Sequence, residues 1–224
     1  MHWQDEGYLL SKNNFNENSI IIEAFTLNHG KYSGIVYGGS SRKQKKYFQI
    51  GNKILLNWIS KGQNRAGYFS VELLSPITAK YFDDKKRSVC ILAAASILKI
   101  LLPDRQINKD IYNSFEFLLS QLHTQSWIKL YINWEISLLK FLGFDIGFLD
   151  NLNSLSTKSS KFLISNNYIN TPKIYLQGNK NLNYKKHDIL EALIFNKLLL
   201  QEFIISPNKL KFPLFRNLLE KYYN

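Results

Sequence analysis

The chain has 224 residues, 45% of them hydrophobic, which excludes an intrinsically disordered polypeptide and fits one large domain or two small ones. A formal charge of +12 and a pI near 9.6 point to an acidic partner, whether nucleic acid, an anionic membrane or an acidic protein tail. The single cysteine, Cys90, excludes an internal disulfide and any metal site with two cysteine ligands.

The N-terminus, Met-His-Trp-Gln-Asp-Glu-Gly, is polar and acidic and does not read as a secretory signal. Strand-like segments follow. Gly7–Leu10 opens the first, and the β-branched and aromatic run Ser19–Thr26 is the second. Asn28-His29-Gly30 is a turn signal before the third, Lys31–Tyr37. A fourth strand region covers Phe48–Ile59, bent near Gly51-Asn52, and Tyr68–Leu73 alternates as a fifth. Five short antiparallel strands without an early long helix predict a small barrel over residues 1–80. A five-stranded OB-fold is one such barrel, and an SH3-like barrel has a similar strand count.

Between the third and fourth strands lies Ser40-Ser41-Arg42-Lys43-Gln44-Lys45-Lys46. Arg42, Lys43, Lys45 and Lys46 would meet phosphates by charge, without reading sequence. Gly38-Gly39 would let the backbone turn sharply before them. Cations beside aromatic strands make a single-strand groove, in which rings offer faces for bases. Tyr37 and Trp58 are the stacking candidates, and Lys31 and Arg65 extend the cationic face, together with Lys12, Lys53 and Lys61.

After Pro76 the period changes. The sequence predicts helices over Lys85–Leu102, stopped by Pro103, over Asn108–Leu122, and over Ser126–Leu142, followed by Gly143. Trp127, Leu130, Tyr131, Trp134, Leu138 and Phe141 form a core stripe on the third, and Glu135 within it reads as a partly buried, hydrogen-bonded structural carboxylate. Cys90 falls in an apolar helical run and reads as packing. Residues 145–184 form an irregular insertion with strand-like pieces at Lys161–Ile164 and Lys173–Leu176; helix returns at Lys186–Ile205 and Leu214–Tyr223. The expected fold class is α+β, a barrel followed by a mainly helical domain over 81–224. Val89–Leu102, the longest apolar run, is interrupted by Ser96 and Lys99 and too short to span a bilayer. No membrane partner is expected, and the chain reads as cytoplasmic.

Catalytic signatures are missing. There is no phosphate-binding Gly-x-x-x-x-Gly-Lys loop, no Gly-x-Ser-x-Gly elbow and no acidic cluster for a two-metal nuclease. His2, His29, His123 and His187 show no helical pairing, so no metal is expected. The chain reads as a non-enzyme without cofactors.

These residues resemble a known family, the bacterial DNA repair and recombination mediator RecO. The similarity runs through Trp3–Ser11, Glu17-Asn18-Ser19, Phe25-Thr26, His29-Gly30-Lys31 and Gly34–Arg42, with Gly51-Asn52 and Trp58 keeping the spacing. Downstream, Leu101–Arg105 looks like a helix-ending motif of alphaproteobacterial members. Asn133-Trp134-Glu135 with Leu138–Phe144 resembles the central helix, and Leu214-Phe215-Arg216 the final one. The resemblance implies an N-terminal OB-fold and a helical C-terminal domain. It implies binding of single- and double-stranded DNA, strand annealing and help in loading recombinase, on the nucleoid. RecR and the acidic C-terminal tail of single-strand-binding protein are the implied partners, with Lys129, Lys140, Lys209, Lys211 and Arg216 as candidates for the tail. Many members carry cysteines around 150–180, some binding zinc; this chain has none there, so a zinc module is not carried over. By charge and barrel alone, an RNA-binding protein of translation or RNA processing fits as well, and a pure interaction module is a third reading.

Overall fold

Alternating burial along the N-terminal strands closes them into a barrel. The computed structural model of the chain describes residues 2–42, 44–60, 67–144, 161–164, 167–176 and 184–224. Lys43, Lys61, Arg65 and most of the 145–184 segment lie outside the described residues. The chain divides into two compact units, residues 1–113 and 114–224.

In the first unit, the strands are β1 (His2–Asn14), β2 (Ser19–Thr26), β3 (Gly30–Tyr37), β4 (Lys53–Ile59) and β5 (Tyr68–Ser75). Their order around the barrel is β1-β2-β3-β5-β4, closing on β1. Neighbours are antiparallel (Ile22↔Gly34, Asp5↔Leu56, Leu56↔Val71) except β3 and β5, which run parallel through Ile35↔Tyr68. A five-stranded closed barrel of this order is the OB-fold, which decides between the two barrels that the strand count left open. Period-2 alternation sends Ile54, Leu56 and Trp58 of β4 inward, against Ile20, Ile22 and Phe69. The fourth strand begins only at Lys53: Phe48 is buried in the barrel core, and the chain turns through Gly51 before pairing starts.

A single 3₁₀ turn (Thr78–Tyr81) leads into α1 (Lys85–Leu101). Asp84 caps this helix, accepting the Arg87 N–H at 3.0 Å. Burial would raise the Asp84 carboxyl, but the Arg87 N–H and guanidinium hold it below the usual carboxylate range. Cys90 and Ile91 are fully buried, as the apolar run predicted. The first unit therefore extends beyond residue 80, and α1 packs on β1 within it. Helix α2 (Lys109–Gln121) starts in this unit, where Tyr112 meets the rings of Tyr8 and Phe25.

The second unit holds α3 (Trp127–Phe141), the antiparallel pair β6 (Lys161–Ile164) and β7 (Asn167–Asn170), α4 (Lys173–Leu176), α5 (Lys186–Leu200) and α6 (Leu214–Lys221). Lys173–Leu176 is one helical turn rather than a strand. Pro172 presets its start, its carbonyl accepts the Tyr175 N–H at 3.0 Å, and Ile174 and Tyr175 are both buried. After α5 the helix widens into a π turn at Gln201–Ile205, with Ser206 N–H bonded to the Gln201 carbonyl, just before Pro207.

One buried network joins these helices. Glu135 on α3 has no exposure; its carboxylate accepts from Arg216 Nε and, at 3.0 Å, Nη2, from Tyr131 OH at 2.6 Å, and from Asn196 Nδ2 at 3.1 Å. Arg216 Nη2 also donates to the Leu193 carbonyl at 2.7 Å, and Tyr175 OH donates to Asn196 Oδ1 at 2.6 Å. Burial alone would lower the Arg216 pKa, but Glu135, with Tyr131 and Glu220, raises it well above the ordinary value. Burial and the same carboxylate push the Tyr175 hydroxyl up. Removing one member strands a charge in the interior. Arg216→Ala should cost about 3–5 kcal/mol, read as a lower denaturant midpoint, whereas Glu135→Leu combined with Arg216→Met should cost much less.

Candidate nucleic-acid interface

On either side of Lys43, the described residues of the basic loop form turns rooted at both ends of the loop. Gly38 takes φ +72° to leave β3, a conformation that a side chain disfavours. Ser41 N–H then bonds the Gly38 carbonyl at 3.1 Å, Lys45 N–H the Ser41 carbonyl at 2.9 Å, and Tyr47 N–H the Gln44 carbonyl at 2.8 Å. Ser40 Oγ donates to the Glu17 carbonyl at 2.7 Å, tying the loop to the β1–β2 turn. At its far end, Asn52 Nδ2 donates to the Tyr47 carbonyl at 3.2 Å.

Arg42, Lys45 and Lys46 are exposed, and among the described residues none of them forms an ion pair. Other cations of this unit do: Lys53 with Glu6 at 3.0 Å, Arg87 with Asp84 at 2.5 Å, and Lys99 with Glu23 at 2.7 Å. The loop is thus a patch of uncompensated positive charge. Lys12 on β1 adds to it, its pKa lowered first by burial and then by Lys45.

Rings lie close by. Tyr37, the last residue of β3, is 64% exposed, and its centroid is 6.0 Å from that of Tyr68 on β5. Phe15 on the β1–β2 turn is 53% exposed, and Lys46 Nζ lies 5.4 Å from the Tyr47 ring. In OB-folds, the β2–β3 face with the β1–β2 and β4–β5 loops takes oligonucleotides; Tyr37 ends β3 and Phe15 lies on the first of these loops, whereas the loop cations belong to the β3–β4 connection, tied to the β1–β2 turn through Ser40.

The structure separates the sequence candidates. Arg42, Lys45, Lys46 and Tyr37 are all exposed, at the end of β3 and in the loop that follows it; Lys43 and Arg65 lie outside the described residues. Trp58 is not a stacking surface: at 4% exposure it fills the barrel, because β4 alternation turns it inward. Lys31 is not a free cation. It is buried, donates to the Lys99 carbonyl at 2.8 Å and pairs with Asp104 at 3.2 Å. Lys12 is one of the cations the sequence assigns to the wider cationic face; Phe15 is not among the sequence candidates, and a lone aromatic in the polar stretch Asn14–Asn18 is the available signal for it.

In the second unit, Lys140, Lys209 and Lys211 are exposed, and Lys129 lies over the Tyr184 ring at 5.3 Å. Lys209 and Lys211 share a stretch with the exposed apolar residues Leu210, Leu214, Phe215 and Leu218. Arg216 is withdrawn from that surface by its pair with Glu135. His187, Asp188 and Glu191 offer ligand atoms within 4.8 Å of one another on α5, while Asp188 is already engaged by the Lys185 N–H at 3.0 Å. Among the described residues, no helix is long and apolar enough to cross a membrane.

Residues 1–77 match the family model described as recombination protein O N terminal, and residues 83–160 the one described as recombination protein O C terminal. Similar proteins include the DNA repair protein RecO of Cereibacter sphaeroides, 36% identical over 146 residues, which are 65% of this chain and 61% of that protein. The DNA repair protein RecO of Roseobacter denitrificans is 32% identical over 170 residues, and that of Wolbachia sp. subsp. Drosophila simulans 30% over 171, each covering 72% of this chain and 70% of the relative. The chain thus spans about three fifths of the Cereibacter relative's length.

Because burial and, after it, Lys45 disfavour the charged form of Lys12, a bound polyanion should draw a proton onto Lys12. Polyanion affinity should therefore start to fall at a pH below the ordinary lysine value of 10.5. Lys12→Gln should move that fall to higher pH in a fluorescence anisotropy titration.

Proposed function

The chain belongs to the recombination protein O (RecO) family of DNA repair and recombination proteins, and on that premise we propose that it is a non-catalytic DNA-binding mediator. In this reading the barrel, residues 1–80, binds single- and double-stranded DNA and brings complementary strands together. The observation that carries the reading is the set of unpaired cations Arg42, Lys45 and Lys46 beside exposed Tyr37, in a unit whose other described cations often face carboxylates. Two strands repel through their phosphates. Cations that neutralise phosphates on both lower that repulsion and release counterions, and no bond is made or broken. Tyr37 and Tyr68 supply π faces that tolerate any base.

The helical part, residues 81–224, would recognise partners: RecR, and the acidic C-terminal tail of single-strand-binding protein while recombinase is loaded. Lys209 and Lys211, next to Leu210, Leu214 and Leu218, suit a segment that is both acidic and apolar; Lys129 and Lys140 are further candidates, and Arg216 is not. Activity on DNA would place the protein at the nucleoid.

Charge reversal at Arg42, Lys43, Lys45 and Lys46 together should weaken single-strand binding and flatten the salt dependence by roughly three in log–log slope, at about 0.7 per lost phosphate contact. Unchanged affinity would remove the loop from the interface. An RNA competitor belongs in the same titration: preferential displacement by RNA would favour an RNA-binding role instead.

A further inference from the structure

The opposite end of β3 carries a second aromatic and cationic patch that the basic loop does not account for. A stack of rings runs from the barrel core to the surface. Trp58 is buried; Trp3 lies over it at 6.0 Å and 24°, and His29 lies flat on Trp3 at 4.1 Å and 9°. Tyr32 meets Trp3 edge-on at 5.0 Å and Trp58 at 5.4 Å. Asp5, with 2% of its side chain exposed, fixes the outermost ring, its Oδ2 lying 2.9 Å from His29 Nδ1 and accepting the Asn28 N–H at 2.7 Å. The imidazole is thus backed by Trp3 and held at one edge by a carboxylate, and 30% of its side chain is open to solvent.

Arg105 stands beside this stack. Its guanidinium lies 5.4 Å from the Tyr32 centroid, and its N–H bonds the Lys31 carbonyl at 2.8 Å. Its φ is 62°, a left-handed conformation that costs a non-glycine residue free energy and that recurs at ligand clamps. The side chain is exposed and pairs with no carboxylate among the described residues; adjacent Asp104 is taken by Lys31 at 3.2 Å. Closing the barrel end requires only apolar bulk, which Trp58 and Trp3 supply. It requires neither an oriented, half-open imidazole nor a strained, exposed cation on a ring.

We propose that Trp3, His29, Tyr32 and Arg105 form a second contact for single-stranded nucleic acid, in which a base stacks on the solvent side of His29 and a phosphate meets Arg105. The inference rests on the DNA-binding reading above and deepens it. Tyr32 and Tyr37 are five residues apart on β3, on opposite faces of it, with roughly 17 Å of strand between them as the shortest span. At about 3.4 Å per stacked nucleotide, a strand must exceed about five nucleotides to reach both sites.

The test compares Arg105→Gly, His29→Ala and the four-residue loop reversal, using oligothymidylates of about four and about twelve nucleotides. Arg105→Gly should keep or raise Tm, because glycine adopts the positive φ without strain, and His29→Ala should weaken binding of the longer oligomer about fivefold or more. Arg105→Gly should weaken the longer oligomer as well, and both variants should leave the shorter one, held by the basic loop, unchanged. If both bind the longer oligomer as the wild type does while the loop reversal weakens it, the second contact is wrong and the DNA-binding reading stands. If Arg105→Gly lowers Tm without changing affinity, Arg105 serves packing and the inference fails. If the wild type binds neither oligomer, the inference and the reading fall together.

Discussion

The N-terminal unit turns on Asn52. This residue has no exposed surface, and its groups hold three segments distant in sequence. Its Nδ2 donates to the Tyr47 carbonyl at the end of the basic loop, its Oδ1 accepts the Thr78 N–H, and its carbonyl accepts the Leu9 N–H at 3.1 Å. A buried amide left unsatisfied is costly, so each segment is held in register by the others. Gly51 beside it takes φ +91° and lies against Ile91 of α1, where a Cβ would collide. The loop therefore leaves a rigid root at Asn52 and is tied again at Ser40. Much of the backbone entropy that a mobile loop would lose on binding is already lost on folding.

Electrostatics in this unit separate into matched and unmatched charge. Lys31, Lys53, Arg87 and Lys99 each face a carboxylate, so their field at a distance is small. The loop cations face solvent, and the charged form of neighbouring Lys12 on β1 is disfavoured first by burial and then by Lys45. Such an arrangement is relieved by a bound polyanion. A net charge of +12 says only that a polyanion is suited; the pairing pattern says where.

The helical unit follows a different logic. Glu135 and Arg216 lie 81 residues apart and are both fully buried. Two desolvated charges gain little over well-packed apolar groups, yet neither tolerates the loss of the other. Tyr131, Asn196 and the Leu193 carbonyl satisfy their remaining hydrogen-bonding capacity, so helices α3, α5 and α6 meet in one geometry. The pair specifies how these helices pack, and in doing so it removes a cation from the surface next to Lys209 and Lys211.

The strand alternation, the Pro103 stop, the helical stripe around Trp134 and the basic loop were legible in the sequence because each is a local pattern of period, turn chemistry or charge. Partial burial of Glu135 followed from its place among aromatics on one helix face, but its complete burial depends on Arg216, 81 residues away. The one-turn helix at Lys173–Leu176 was not legible, because four apolar-rich residues carry too little period to separate strand from helix. The OB topology also lay beyond local pattern: strand count is shared by several barrels, and the closing order of the strands, with β3 and β5 parallel, distinguishes this one. The same holds for individual side chains. Trp58, Lys31 and Arg216 have the composition of binding residues, but whether a ring or cation faces solvent depends on strand register and on partners far away in the chain. Composition and periodicity by themselves determined what kinds of elements form and what kind of partner the charge suits. Tertiary structure alone decided which cations are neutralised and which remain free, because pairing depends on distance in space rather than in sequence.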